Sequence, residues 1–128
     1  MIQKIKVPAD IALLVARLII GGIFIFSAYM KIADMGMTVG YFSQMGIPVF
    51  LTYIVAYGEM IFGITTVLGV LMASSTFFLS VVMAFAVYYT YPMGMNVFMA
   101  PLAVLGATLA LHGAGAGKYR LPLFKQWD

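Results

Sequence analysis

Arg17 and Glu59 each interrupt a stretch of sequence that is otherwise apolar: Arg17 within Ile11–Met30 and Glu59 within Val49–Met72. A charge near the middle of a membrane helix costs about 2.5–3.5 kcal/mol on insertion scales, so both side chains are expected to face other helices, water or a ligand, and not lipid. Around a helix, Arg17, Gly21, Phe24, Ala28 and Lys31 recur at spacings of four, three, four and three and therefore share one stripe. Glu59, Gly63 and Thr66 share a face in the same way. Four states of Glu59 stay open at this level: a direct bond to Arg17, a pair with Lys31, bridging through water or through Tyr57 or Tyr53, and a protonated carboxyl. The chemistry is that of an internal polar tie between two helices, or of a ligand or proton site.

A second group of residues could bind a soft metal. The chain contains 11 methionines and no cysteine. Met35-Gly36-Met37 and Met93-Gly94-Met95 are two Met-Gly-Met tripeptides in separate connections, and converging thioethers can hold Cu(I). The competing reading is methionine as flexible apolar filler. Without cysteine there are no disulfides, thiolate catalysis or thiolate metal sites. No nucleophile–base pair, phosphate-cradling glycine loop or carboxylate dyad is present, and independent turnover is not expected. His112 is expected to stabilise a helix C-terminus and not to bind metal.

The elements that must position these residues follow from composition. Of 128 residues, 64% are hydrophobic and 9% charged, whereas a soluble domain is about 25% charged, so a water-facing surface cannot be built. The apolar residues run in blocks long enough to cross a bilayer. Four spans are expected, at about 11–31, 49–72, 75–91 and 96–113, in a single domain: an all-α integral membrane bundle of four transmembrane helices. Asp10 is expected as the N-cap of the first span after Pro8, and Pro48 opens the second. Ala73 and Ser74 are taken as the turn between spans two and three, which makes those two an antiparallel hairpin. Residues 31–46 and 91–95 are taken as loops. In the fourth span Ala103, Gly106, Ala107, Ala110 and Gly113 recur at helical spacing and permit close packing.

An even number of spans places Lys4 and Lys6, before the first, on the same side as Lys118, Arg120 and Lys125, after the last. The positive-inside rule makes that side cytoplasmic, N-in and C-in, with Tyr88, Tyr89 and Tyr91 at the outer interface and Trp127 near the inner one. The apolar run after Lys4 and Lys6 has the outline of a secretory signal, but Arg17 within it and its spanning length favour a retained helix. The net charge of +3 is explained by membrane orientation, and no nucleic-acid partner is expected.

With these residues in order, the chain resembles the DoxX family of small bacterial and archaeal membrane proteins over nearly its whole length. Arg17-Leu18, Gly21, Phe24 and Lys31 are similar to that family's opening pattern, and Met45-Gly46-Ile47-Pro48 to its Gly-x-Pro approach to helix two. Glu59, Gly63, Leu68 and Gly69 look like its Glu-x-x-x-Gly and Leu-Gly signature, and Gly115, Gly117, Lys118 and Tyr119 like its exit. The resemblance implies a four-helix membrane fold in a prokaryotic inner membrane. It also implies a link to quinone-dependent sulfur oxidation or to thiol and redox homeostasis. The expectation is an accessory membrane subunit of a redox or quinone-linked complex, in which Arg17, Glu59, Lys31 and Tyr57 mark the polar or ligand site. The alternatives are a structural subunit that docks on other membrane proteins or on its own copies, and an outer-face Cu(I) binder using Met35, Met37, Met93 and Met95.

Overall fold

The computed structural model describes residues 8–119. Lys4, Lys6, Arg120, Lys125 and Trp127, which carry part of the orientation argument, lie outside the described residues. Among the described residues every regular element is helical: α1 (Ala9–Ala33), α2 (Met35–Gln44), α3 (Val49–Leu68), α4 (Met72–Thr90), a 3₁₀ turn (Tyr91–Met93) and α5 (Met95–Ala114). Four helical stretches, Ala9–Ala33, Val49–Leu68, Met72–Met93 and Met95–Ala114, are long and apolar enough to cross a membrane. In hydrocarbon a helix is favoured because it satisfies its own backbone hydrogen bonds.

α1 packs chiefly on α3, α4 chiefly on α5, and α3 joins the two pairs through α4. The end of the bundle holding Pro8 and Gly115–Tyr119 is called here the near end, and the end holding α2 the far end. The apolar core is Ile20, Phe24, Leu79 and Leu111, with Phe62, Phe78, Met83 and Val104 packed around it. The outward surface is also apolar, with Ile19, Phe26, Phe50, Phe77 and Leu109 all exposed, as expected where lipid is the solvent. The predicted stripe on α1 is present: Arg17, Gly21, Phe24 and Ala28 are all buried. On α3 the buried face includes Glu59, Gly63 and Thr66.

Three local features differ from the expectation. The segment 31–46 is not a loop throughout. Asp34 caps α2 by accepting the Met37 N–H at 3.1 Å, and the Thr38 hydroxyl donates to the Lys31 and Asp34 carbonyls. The chain turns at Gly69–Leu71, and α4 starts at Met72, so Ala73 and Ser74 are helical. Gly69 takes a left-handed conformation, φ 78°, that closes α3 four residues before Met72. Asp10 lies inside the first turn of α1, whose N-cap is Pro8. Its carboxylate accepts the Lys118 N–H at 3.1 Å and draws the exit segment across the near end.

Close helix contact occurs at glycines other than those of α5. A Cβ on Gly21 would fall 2.8 Å from the Gly63 carbonyl oxygen, so α1 and α3 meet backbone to backbone. A Cβ on Gly58 would strike the Phe78 ring. Gly106 and Gly113 have open space where a Cβ would stand. The α4–α5 pair is tied instead by hydroxyls: Ser80 donates to Thr108 at 2.9 Å, and Thr76 lies 2.9 Å from His112 Nδ1.

Candidate functional site

Gly21 opposite Gly63 fixes the register of the antiparallel α1–α3 pair, and from it the levels of the charged residues follow. Glu59 falls level with about residue 25. The Lys31 Cα is then roughly 9 Å toward the far end and the Arg17 Cα roughly 12 Å toward the near end. Height alone hardly separates the two cations, and side-chain direction decides between them. Helical side chains lean toward their own N-terminus. α1 runs from near to far, so Lys31 leans back toward the middle while Arg17 leans away from it. α3 runs the other way, so Glu59 leans outward to meet Lys31.

Lys31 Nζ accordingly lies 2.8 Å from Glu59 Oε1. The same ammonium donates to Ser27 Oγ, one turn back on α1, at 2.7 Å. Glu59 is 1% exposed and the Lys31 side chain 23%. The Oε1 contact lies off the direction of a hydrogen bond, and among the described residues that atom has no hydrogen-bond donor.

Arg17 has a different set of partners. Nε donates to the Thr66 carbonyl at 3.1 Å and Nη2 to the Val67 carbonyl at 2.9 Å. Nη1 donates to the carbonyls of Ala116, at 2.9 Å, and Tyr119. The planar fork thus caps the last turn of α3 while pinning the exit segment, at a terminus whose carbonyls carry partial negative charge. Arg17 and Glu59, the pair that suggests itself from the sequence, are not bonded to each other in this arrangement.

The Lys31–Glu59 pair forms one wall of a cleft of about 380 Å³ between α3 and α4, bordered by α2. Phe78, seated on Gly58 and 4.9 Å from the Phe62 ring, brings α3 and α4 together below it. Toward the far end Leu51, Ile54 and Val55 of α3 face Val81, Val82, Phe85 and Tyr89 of α4. Tyr41, Phe42, Met45 and Ile47 come from α2 and the turn after it. Neither Tyr41 nor Phe42 stands out in the sequence, and Met45 and Ile47 do so only as part of the approach to helix two; Ser27, four residues before Lys31 on the same face, is a polar neighbour that the spacing does reveal.

Tyr57 is on the outer surface, 46% exposed, with its ring stacked on that of Tyr53. Met35 and Met37 are in α2, which packs on α1 and α3, whereas Met93 and Met95 belong to the 3₁₀ turn and the start of α5, which pack on each other and on α4. Met37, Met93 and Met95 are exposed.

Comparison with known proteins bears on this geometry. The sequence pattern of the DoxX family matches residues 12–92, a stretch that holds Arg17, Lys31, Glu59 and every residue lining the cleft. The "Inner membrane protein YqjF" of Escherichia coli (strain K12) is similar to the chain, 30% identical over 125 residues that cover 92% of this chain and 96% of the relative. No solved structure matches.

Proposed function

This chain belongs to the DoxX family of membrane proteins, and on that premise we propose that it is an accessory integral membrane subunit of a redox or quinone-linked membrane complex, with the Lys31–Glu59 cleft as its contact with the quinone. The observation that carries the reading is an ion pair set into the wall of an apolar cleft of about 380 Å³. That volume lies in the range of small-molecule sites, which combine apolar walls with a few placed polar groups. A buried ion pair is weak as a source of stability, which leaves function as the better reason for keeping one inside a span.

The chain sits in a prokaryotic inner membrane with both ends cytoplasmic on this reading. Four spans return the chain to the side it started from, and the basic residues flanking the first and last spans favour the cytoplasm. The similar E. coli protein is described as an inner membrane protein. Protein purified from native membranes should retain extractable quinone, and Glu59→Gln should lower that content while the bundle stays folded. Equal quinone in variant and parent would remove the cleft from the proposal.

The outer face of α5 supports a second role, as a structural subunit. Leu102 and Leu109 are exposed beside the open Gly106 and Gly113 positions, where another helix could approach closely. Gentle detergent extraction should then recover partner chains or a second copy. Recovery as a monodisperse monomer would count against docking.

A further inference from the structure

We infer that the cleft selects a membrane-soluble amphiphile with a compact, neutral, hydroxyl-bearing head of phenol type, the hydroxyl donating to Glu59 and the apolar tail leaving sideways between α3 and α4. The inference deepens the reading of the cleft as a ligand site and adds which chemical form it takes. It starts from hydrogen-bond capacity. A carboxylate only accepts, at about four positions on its two oxygens. Glu59 is 1% exposed, it lines the cleft, and its Oε1 has no hydrogen-bond donor among the described residues. Lys31 has three N–H donors, of which Ser27 takes one, while its contact with Glu59 is an ion pair. Acceptor positions on Glu59 therefore lie unfilled beside an ammonium with N–H donors to spare. A hydroxyl satisfies both, donating to Glu59 and accepting from Lys31. A carbonyl or an ether satisfies only the ammonium.

Charge and shape narrow the class further. The pair is already neutral, and a charged head would add an uncompensated third charge to an apolar cavity, so the head must be neutral. Thr90 also lines the cleft, but its hydroxyl is committed to the Ala86 carbonyl at 2.7 Å. The flanks of the cleft are open: Leu51, Ile54, Val81 and Phe85 are 38–58% exposed on the surface that faces lipid. A chain attached to the head can leave there into the bilayer, and entry requires no aqueous route. Quinols have this chemistry, as do other alkylated phenols.

The test compares para-hexylphenol with its methyl ether, equal in ring and tail and different only in the donor. Binding to the full-length protein in lipid nanodiscs is measured by ligand-observed NMR titration. The phenol should bind about tenfold more tightly, the factor expected from one charge-assisted hydrogen bond. Glu59→Met should bring the two affinities together. Ala86→Phe, which fills the cleft and leaves the ion pair alone, should abolish binding of both. Equal affinities on the parent protein, or binding that Ala86→Phe leaves unchanged, would overturn the inference. Retained quinone is read separately. A phenol preference in protein that retains no quinone or quinol supports the selectivity and removes the quinone reading, whereas retained quinone with no phenol preference does the reverse.

Discussion

The two cations of α1 lie fourteen residues apart on one stripe and end in opposite circumstances. Arg17 is surrounded by protein and donates to four backbone carbonyls from α3 and the exit segment, so its fork is used at the near end for assembly. Lys31 is partly exposed, has one carboxylate and one hydroxyl as partners, and borders a cleft. The contrast shows that a charged residue within a membrane helix is not by that fact a ligand site. A cation whose donors are taken up by the backbone stabilises the bundle, whereas one paired beside an empty volume has capacity left for something else.

Substitution should break this symmetry in graded steps. Arg17→Ala should have the largest effect, because it leaves several buried carbonyls without a donor at about 1–3 kcal/mol each. Unfolding by SDS titration should show a loss of roughly 3 kcal/mol or more, and Arg17→Lys should restore only part, since an ammonium lacks the planar fork. Lys31→Met should come next, at about 2–4 kcal/mol, because it strands a carboxylate that is 1% exposed. Glu59→Gln should cost less than Lys31→Met, since the freed lysine can extend to the interface, and the double variant should recover part of the Lys31→Met loss in the same titration. Gly21→Val should cost about 1–3 kcal/mol by forcing α1 and α3 apart at the Gly63 backbone. Gly106→Ala, with open space at its Cβ inside a helix, should cost nothing and gain up to about 1 kcal/mol in the same titration. A Gly106→Ala loss as large as that at Gly21 would mean that α5 is packed against another helix in the preparation.

The sequence made the architecture legible wherever burial in lipid decides it. Runs of about 20 apolar residues mark the four spans, and helical spacing marks Arg17, Gly21, Phe24 and Ala28 as one inward stripe. α2 was hidden because ten residues containing Gly36 and Gly40 carry a weak periodic signal, and its start depends on one side chain, Asp34. The end of α3 was obscured for a related reason: apolar residues continue past Gly69, so composition alone does not mark the stop that its left-handed backbone imposes. The partner of Glu59 is ambiguous in the sequence because heights along the helix axis put Arg17 and Lys31 at similar distances, and only the lean of helical side chains separates them. The cleft itself was not legible, since it arises where α3 and α4 are held at Phe78 and Gly58 and faced by α2, a conjunction of three distant segments.

The contacts of Arg17 also impose an order of events on synthesis. Arg17 is in the first span to leave the ribosome, yet two of its acceptors, the carbonyls of Ala116 and Tyr119, follow it by 99 and 102 residues. Until the fourth span has been inserted, those two acceptors in the exit segment are not yet in place. A nascent or truncated chain lacking the exit segment therefore carries an arginine inside the bilayer with two of its acceptor carbonyls missing, a feature by which membrane quality control can tell an unfinished molecule from a finished one.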